Sequence, residues 1–186
     1  MKSLRKVLIS ASFAISALLA ASANASFIGA ELQARYLFPD AGSQFSNTET
    51  FTVVDPGVEV SFFPDGDPRT NLDFSATNLF VTYNSSSSWT TAAFNGFIVE
   101  DINNVLDDIV GVSLNAATNM AGLDLSRISF TADSFSVNWN GLAFNTSTVV
   151  SLDFQFGSQE VPEPAILWLF GLGLLGLVFS TKTARI

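Results

Sequence analysis

Between Ser26 and Glu160 the chain carries 16 acidic residues against three arginines, with no lysine, histidine or cysteine. Any proton transfer there falls to an Asp or Glu carboxyl, or to water on a cation held by carboxylates. Nucleophilic catalysis through Ser–His–Asp or Cys–His is excluded, as are thiolate metal sites, histidine-ligated haem and disulfides. Two carboxyls facing each other could make a glycosidase pair, but spacing alone brings no particular two together. The best cation candidate is Asp65-Gly66-Asp67 with Asp73 six residues on, because alternate oxygens in a turn can wrap Ca²⁺. The segment lacks the spacing and terminal Glu of an EF-hand loop, and it also reads as an ordinary turn before Pro68. No other cofactor is expected. Among the aromatic residues Trp89 follows the polar run Ser85–Ser88 and is the candidate for an exposed sugar-stacking ring. Trp139 alternates with Phe135 and Val137 and is expected in the core.

The net charge of this stretch is −13. Such a surface repels phosphate backbones, so no nucleic-acid partner is expected.

These residues must be positioned by strands. Ile128–Ala132, Phe135–Trp139 and Val150–Phe156 alternate apolar and polar side chains, the period of a half-buried strand. Further candidates are Leu32–Phe38, Thr50–Val54, Val58–Phe63, Leu72–Tyr83, Phe94–Glu100 and Ile109–Leu114. Asp55-Pro56-Gly57 is a turn. Asn140-Gly141 predicts a hairpin between Ser134–Trp139 and Leu142–Asn145, since both residues tolerate positive φ. One short helical turn is expected at Ile102–Asp108. About nine strands with frequent breaks predict an all-β fold, an antiparallel β-sandwich or a jelly-roll-like barrel. Without disulfides it must rest on core packing, for which a body of this length suffices.

The ends read differently. In residues 1–25, Lys2, Arg5 and Lys6 precede an apolar run from Val7 to Ala21, then Ala23-Asn24-Ala25. That is the pattern of a signal peptide passed to the Sec translocon and cut by signal peptidase before Ser26. At the other end Val161-Pro162-Glu163-Pro164 precedes 17 uncharged residues, Ala165 to Thr181. As a helix they would span about 25 Å, slightly short of the ~30 Å hydrocarbon layer. Lys182 and Arg185 would stay cytoplasmic under the positive-inside rule. The two prolines keep the chain before this helix extended. Gly171, Gly173 and Gly176 match a dinucleotide fingerprint in spacing, but they sit inside the apolar run with no preceding strand.

This tail of Pro-Glu-Pro, Leu/Gly-rich apolar helix and basic terminus resembles the PEP-CTERM sorting tail of Gram-negative bacteria. The resemblance covers 161–186. It implies an exosortase as processing partner, an inner-membrane anchor before processing, and then delivery to the cell surface or medium. It also implies an association with exopolysaccharide and biofilm. The expected organisation is a signal peptide (1–25), a β-rich extracytoplasmic domain (26–157), a linker with the sorting motif (158–164), a transmembrane helix (165–181) and a basic cytoplasmic end (182–186). The expected function is a non-catalytic surface or extracellular-matrix protein. The alternatives are a carbohydrate-binding module or a secreted hydrolase using two carboxylates.

Overall fold

The computed structural model describes residues 25–64 and 70–157. The cleavage-site residue Ala23, the cation candidates Asp65 and Asp67, the sorting residues Val161, Pro162, Glu163 and Pro164, the expected membrane helix, and Lys182 and Arg185 lie outside them. Among the described residues no helix is long and apolar enough to cross a membrane.

In chain order the strands are β1 (Glu31–Leu37), β2 (Glu49–Thr52), β3 (Val60–Phe63), β4 (Thr70–Phe74), β5 (Asn78–Tyr83), β6 (Ser87–Ser88), β7 (Gly96–Asp101), β8 (Ile109–Leu114), β9 (Ile128–Phe130), β10 (Ser134–Asn138), β11 (Ala143–Phe144) and β12 (Val149–Phe156). The fold is all-β and every pairing is antiparallel. One five-stranded sheet has the order β2-β1-β7-β10-β9 and the other β3-β4-β5-β12-β8; β6 and β11 form a small separate pair.

The alternation read from sequence decides which faces meet. Leu32, Ala34 and Tyr36 of β1, Phe97 and Val99 of β7, and Phe135 and Val137 of β10 turn inward from the first sheet. Leu72 and Phe74, Leu79 and Val81, and Val150, Leu152 and Phe154 turn inward from the second. Rings bridge the two layers: Phe135 lies 4.6 Å from Phe154, and Phe63 lies 6.1 Å from Phe97 in an edge-to-face contact. Two sheets sharing one apolar layer are consistent with a β-sandwich. Burying each such ring contributes about 1.5–3 kcal/mol.

Phe27 closes this core from the N-terminal side. It is 1% exposed and meets the rings of Phe74, Phe154 and Phe156 edge-on at 5.3, 4.9 and 5.0 Å. Its N–H donates to Ala76 O at 2.8 Å.

Three local expectations need correction. The single candidate strand Leu72–Tyr83 is two strands, β4 and β5, joined by a tight turn in which Ser75 N donates to Asn78 O. Ser75-Ala76-Thr77 contains neither Gly nor Pro, so the usual turn signal is missing. Asn140-Gly141 does form a turn, with Gly141 at φ +70° and Leu142 N donating to Trp139 O. It is not a hairpin: β10 pairs with β7 and β9, whereas β11 pairs with β6. Arg127 donates to Asn138 O and Asn140 O, and Asn140 Oδ1 accepts the Ala92 N–H. These contacts hold the turn as a crossing between sheets. Ile102–Asp108 forms no helix. The Asp101 carboxylate accepts the N–H groups of Asn103, Val105 and Leu106 and folds that loop around itself. The one 3-10 turn among the described residues is Leu125–Arg127, capped by Asp124, whose side chain accepts the Ser126 N–H.

Candidate functional site

Two places merit a functional reading: the point where both chain ends leave the body, and a cleft at the far end of β1.

The ends meet. Phe27, just after the expected cleavage position Ala25–Ser26, touches Phe156, the last residue of β12, at 5.0 Å between ring centroids. Phe27 N and Phe154 N donate to neighbouring carbonyls, Ala76 and Thr77, in the β4–β5 turn. Ala25 is exposed and Ser26 half-buried, so the chain reaches the surface within two residues of the core. The segments that precede and follow the body therefore depart from one corner of it.

The cleft has a volume of about 190 Å³. Tyr36, Phe38, Phe45, Pro64 and Trp89 supply apolar surface; Ser88, Thr90 and Asn95 supply polar groups. Asn95 organises the wall. Its Oδ1 accepts the Tyr36 hydroxyl at 2.6 Å and its Nδ2 donates to Thr90 O at 2.8 Å. Its backbone is pinned on both sides, by Asn138 Oδ1 and by Trp139 N. Phe45 stands at the mouth, 64% exposed, 6.2 Å from Tyr36 and 5.8 Å from Phe38.

Trp89, expected as an exposed ring, is 7% exposed. The β6–β11 pairing draws it inward, where Trp89 N donates to Leu142 O and the indole packs 5.1 Å from Phe144 and 5.7 Å from Tyr36. It is a wall of the cleft and not a platform. The exposed aromatic residue at the cleft is Phe45, a lone ring in the polar stretch Gly42–Thr50. The reasoning that singled out Trp89, a large ring in a polar loop, applies to Phe45 with better effect.

Several carboxylates of the body are engaged in building it, whereas the buried Asp107 Oδ1 has no hydrogen-bond partner among the described residues. Glu59 accepts the N–H groups of Val54 and Phe74. Asp153 accepts from Asn78 and Asn115, and Glu100 pairs with Arg35 at 2.6 Å. Asp73, the described member of the cation candidate, lies on β4. Its carboxyl is pushed above the usual value by burial, then by the charges of Glu59 and Asp55. Among the described residues no group of three or more Asp or Glu side chains converges to hold a metal ion.

The raised Asp73 value carries a sign. Folding favours the protonated form, so the favourable contribution is complete below the ordinary value near 3.8 and is lost as pH rises through the folded-state value. Asp73→Asn is expected to raise the melting temperature at pH 7 by about 1–3 °C and to leave it unchanged at pH 3. Thermal scans at the two pH values check this; an equal shift at both would show that charge is not the cause.

The comparison that bears on the chain ends concerns the tail. Residues 160–182 match the family model of the PEP-CTERM protein-sorting motif. The C-terminal tail is a PEP-CTERM sorting tail. No curated protein matches the chain, and no solved structure matches it. The PEP-CTERM motif implies an exported protein, a C-terminal membrane anchor before processing, and an exosortase as the processing partner. β12 ends at this corner at Phe156, four residues before the match to the PEP-CTERM motif begins at 160.

Proposed function

We propose that this chain is a non-catalytic surface or extracellular-matrix protein, released through its PEP-CTERM tail and associated with exopolysaccharide in a biofilm. The observation that carries the reading is the shared exit corner. Phe27 and Phe156 touch, so a signal segment and a sorting tail can sit in the same bilayer while the body between them folds outside it. Two features support the non-catalytic part. Several carboxylates are already engaged: Asp101 and Glu59 by backbone N–H groups, Asp153 by amides and Glu100 by Arg35. The acidic, Ser/Thr/Asn-rich surface suits a hydrated, cation-bearing polymer.

The test is expression of the full chain with and without an exosortase. Mass spectrometry of the product with the enzyme is expected to show a chain beginning at Ser26 and lacking 165–181, recovered outside the cell. Without the enzyme the chain is expected intact in the inner membrane. A chain that remains whole and membrane-bound beside an active exosortase would sink the sorting reading. Removal of the gene with no change in biofilm mass or flocculation would sink the matrix role.

A further inference from the structure

The cleft at the end of β1 has the make-up of a sugar subsite. A pyranose ring is amphipathic: its C–H faces are apolar, and its rim bears hydroxyls that both donate and accept. The cleft offers the same division. Phe38 and Phe45 present ring surface near its mouth, Tyr36 and Trp89 form the wall behind, and Ser88, Thr90 and Asn95 supply polar groups. Pockets that fix a small ligand combine apolar walls with a few convergent polar groups in this way.

A second observation points to a ligand. The Trp89 Nε1–H is buried and has no hydrogen-bond partner among the described residues. Leaving such a donor unmet costs about 1–3 kcal/mol, and native proteins keep few of them. It belongs to a residue that lines the cleft, whereas the Tyr36 hydroxyl behind it is already bonded to Asn95. Phe45 supplies a third. A phenyl ring left 64% exposed at the lip of a cleft contributes little to folding where it stands, but it can stack on a bound ring.

We infer that this cleft binds a single sugar ring, with Phe45 and Phe38 against its C–H face, a small shift of the Trp89 indole offering it the buried N–H, and Ser88 and Thr90 addressing its hydroxyls. The site deepens the matrix reading and rests on it only for the source of the sugar.

The experiment uses the full-length chain in a detergent without a sugar headgroup. Glucose, galactose, mannose and N-acetylglucosamine, each as mono- and trisaccharide, are the probes. Saturation-transfer NMR is expected to label the ring C–H protons of at least one of them. Phe45→Ala should weaken that binding at least about tenfold without moving the melting temperature. Trp89→Phe keeps an aromatic wall, removes the donor, and should weaken binding several-fold. Absence of transfer to every saccharide, or binding that both variants leave unchanged, overturns the site. So does stronger binding of indole or toluene than of any saccharide. Saccharide binding by a chain whose tail an exosortase never cuts would overturn the sorting reading alone. A cut tail without saccharide binding would overturn this site alone.

Discussion

Phe27→Ala is expected to lower the unfolding free energy by about 3–5 kcal/mol, the range for removing a fully buried aromatic ring. The ring is surrounded by Phe74, Phe154 and Phe156, with Phe135 beyond, so the walls of the resulting cavity come from both sheets and cannot close together easily. Against a typical total of about 5–15 kcal/mol this is a large fraction. Urea unfolding should show a lower midpoint with an unchanged slope. A loss below about 1 kcal/mol would mean that the N-terminal segment does not plug the core. Position gives the result biological weight. Phe27 is the second residue of the mature chain expected after cleavage at Ala25, so cutting a few residues late would remove the plug as completely as the substitution does.

Gly96→Ala is the second large effect. A Cβ built on Gly96 would lie 1.9 Å from the Val137 carbonyl oxygen and 2.9 Å from its carbon. These are backbone atoms of β10, which is itself paired to β7 along Ser134–Asn138, so no side-chain rotation relieves the clash. The sheet must open at its centre. The expected cost is about 3 kcal/mol, the upper end of ordinary overpacking. The same displacement would break the bond from Trp139 N to Asn95 O, and Asn95 holds Tyr36 in the cleft. Saccharide binding should therefore weaken along with stability. A variant as stable as the parent would show that β7 and β10 do not approach as described. Glycine is required here for space, since no positive φ is involved.

The strands were legible where side-chain burial alone decided them. Ile109–Leu114 appears at its expected bounds, and Val149–Phe156 differs from expectation by one residue. In β12 the inward Val150, Leu152 and Phe154 state the period directly, whereas β8 interrupts it, with Ile109 buried and Val110 exposed. Partnership was less legible than existence. Asn140-Gly141 specifies a turn, but whether the next strand stays in the sheet depends on Arg127 and Ala92, distant in sequence, which fix the turn from outside. Likewise Asp101 removes a helical turn by offering its carboxylate to three N–H groups that a helix would have bonded otherwise. The cleft was half legible. Its aromatic content could be named, but Trp89 turns inward because β6 pairs with β11, a two-residue match invisible to periodicity. The sorting tail was fully legible because it is a linear signal, read by type and order with no tertiary partner needed.

The placement of β12 bears on how the body resists being pulled. The strand lies between β5 and β8, paired to β5 over Val149–Asp153 and to β8 over Leu152–Phe156. Ladder bonds run perpendicular to a strand. Tension applied at its C-terminal end would thus load the β8 row sideways and pass inward to the β5 row, where a strand at the margin of a sheet would peel open one bond after another. A molecule held by that end while shear flow drags on the rest would keep its shape under forces that would strip a protein tethered through an outer strand.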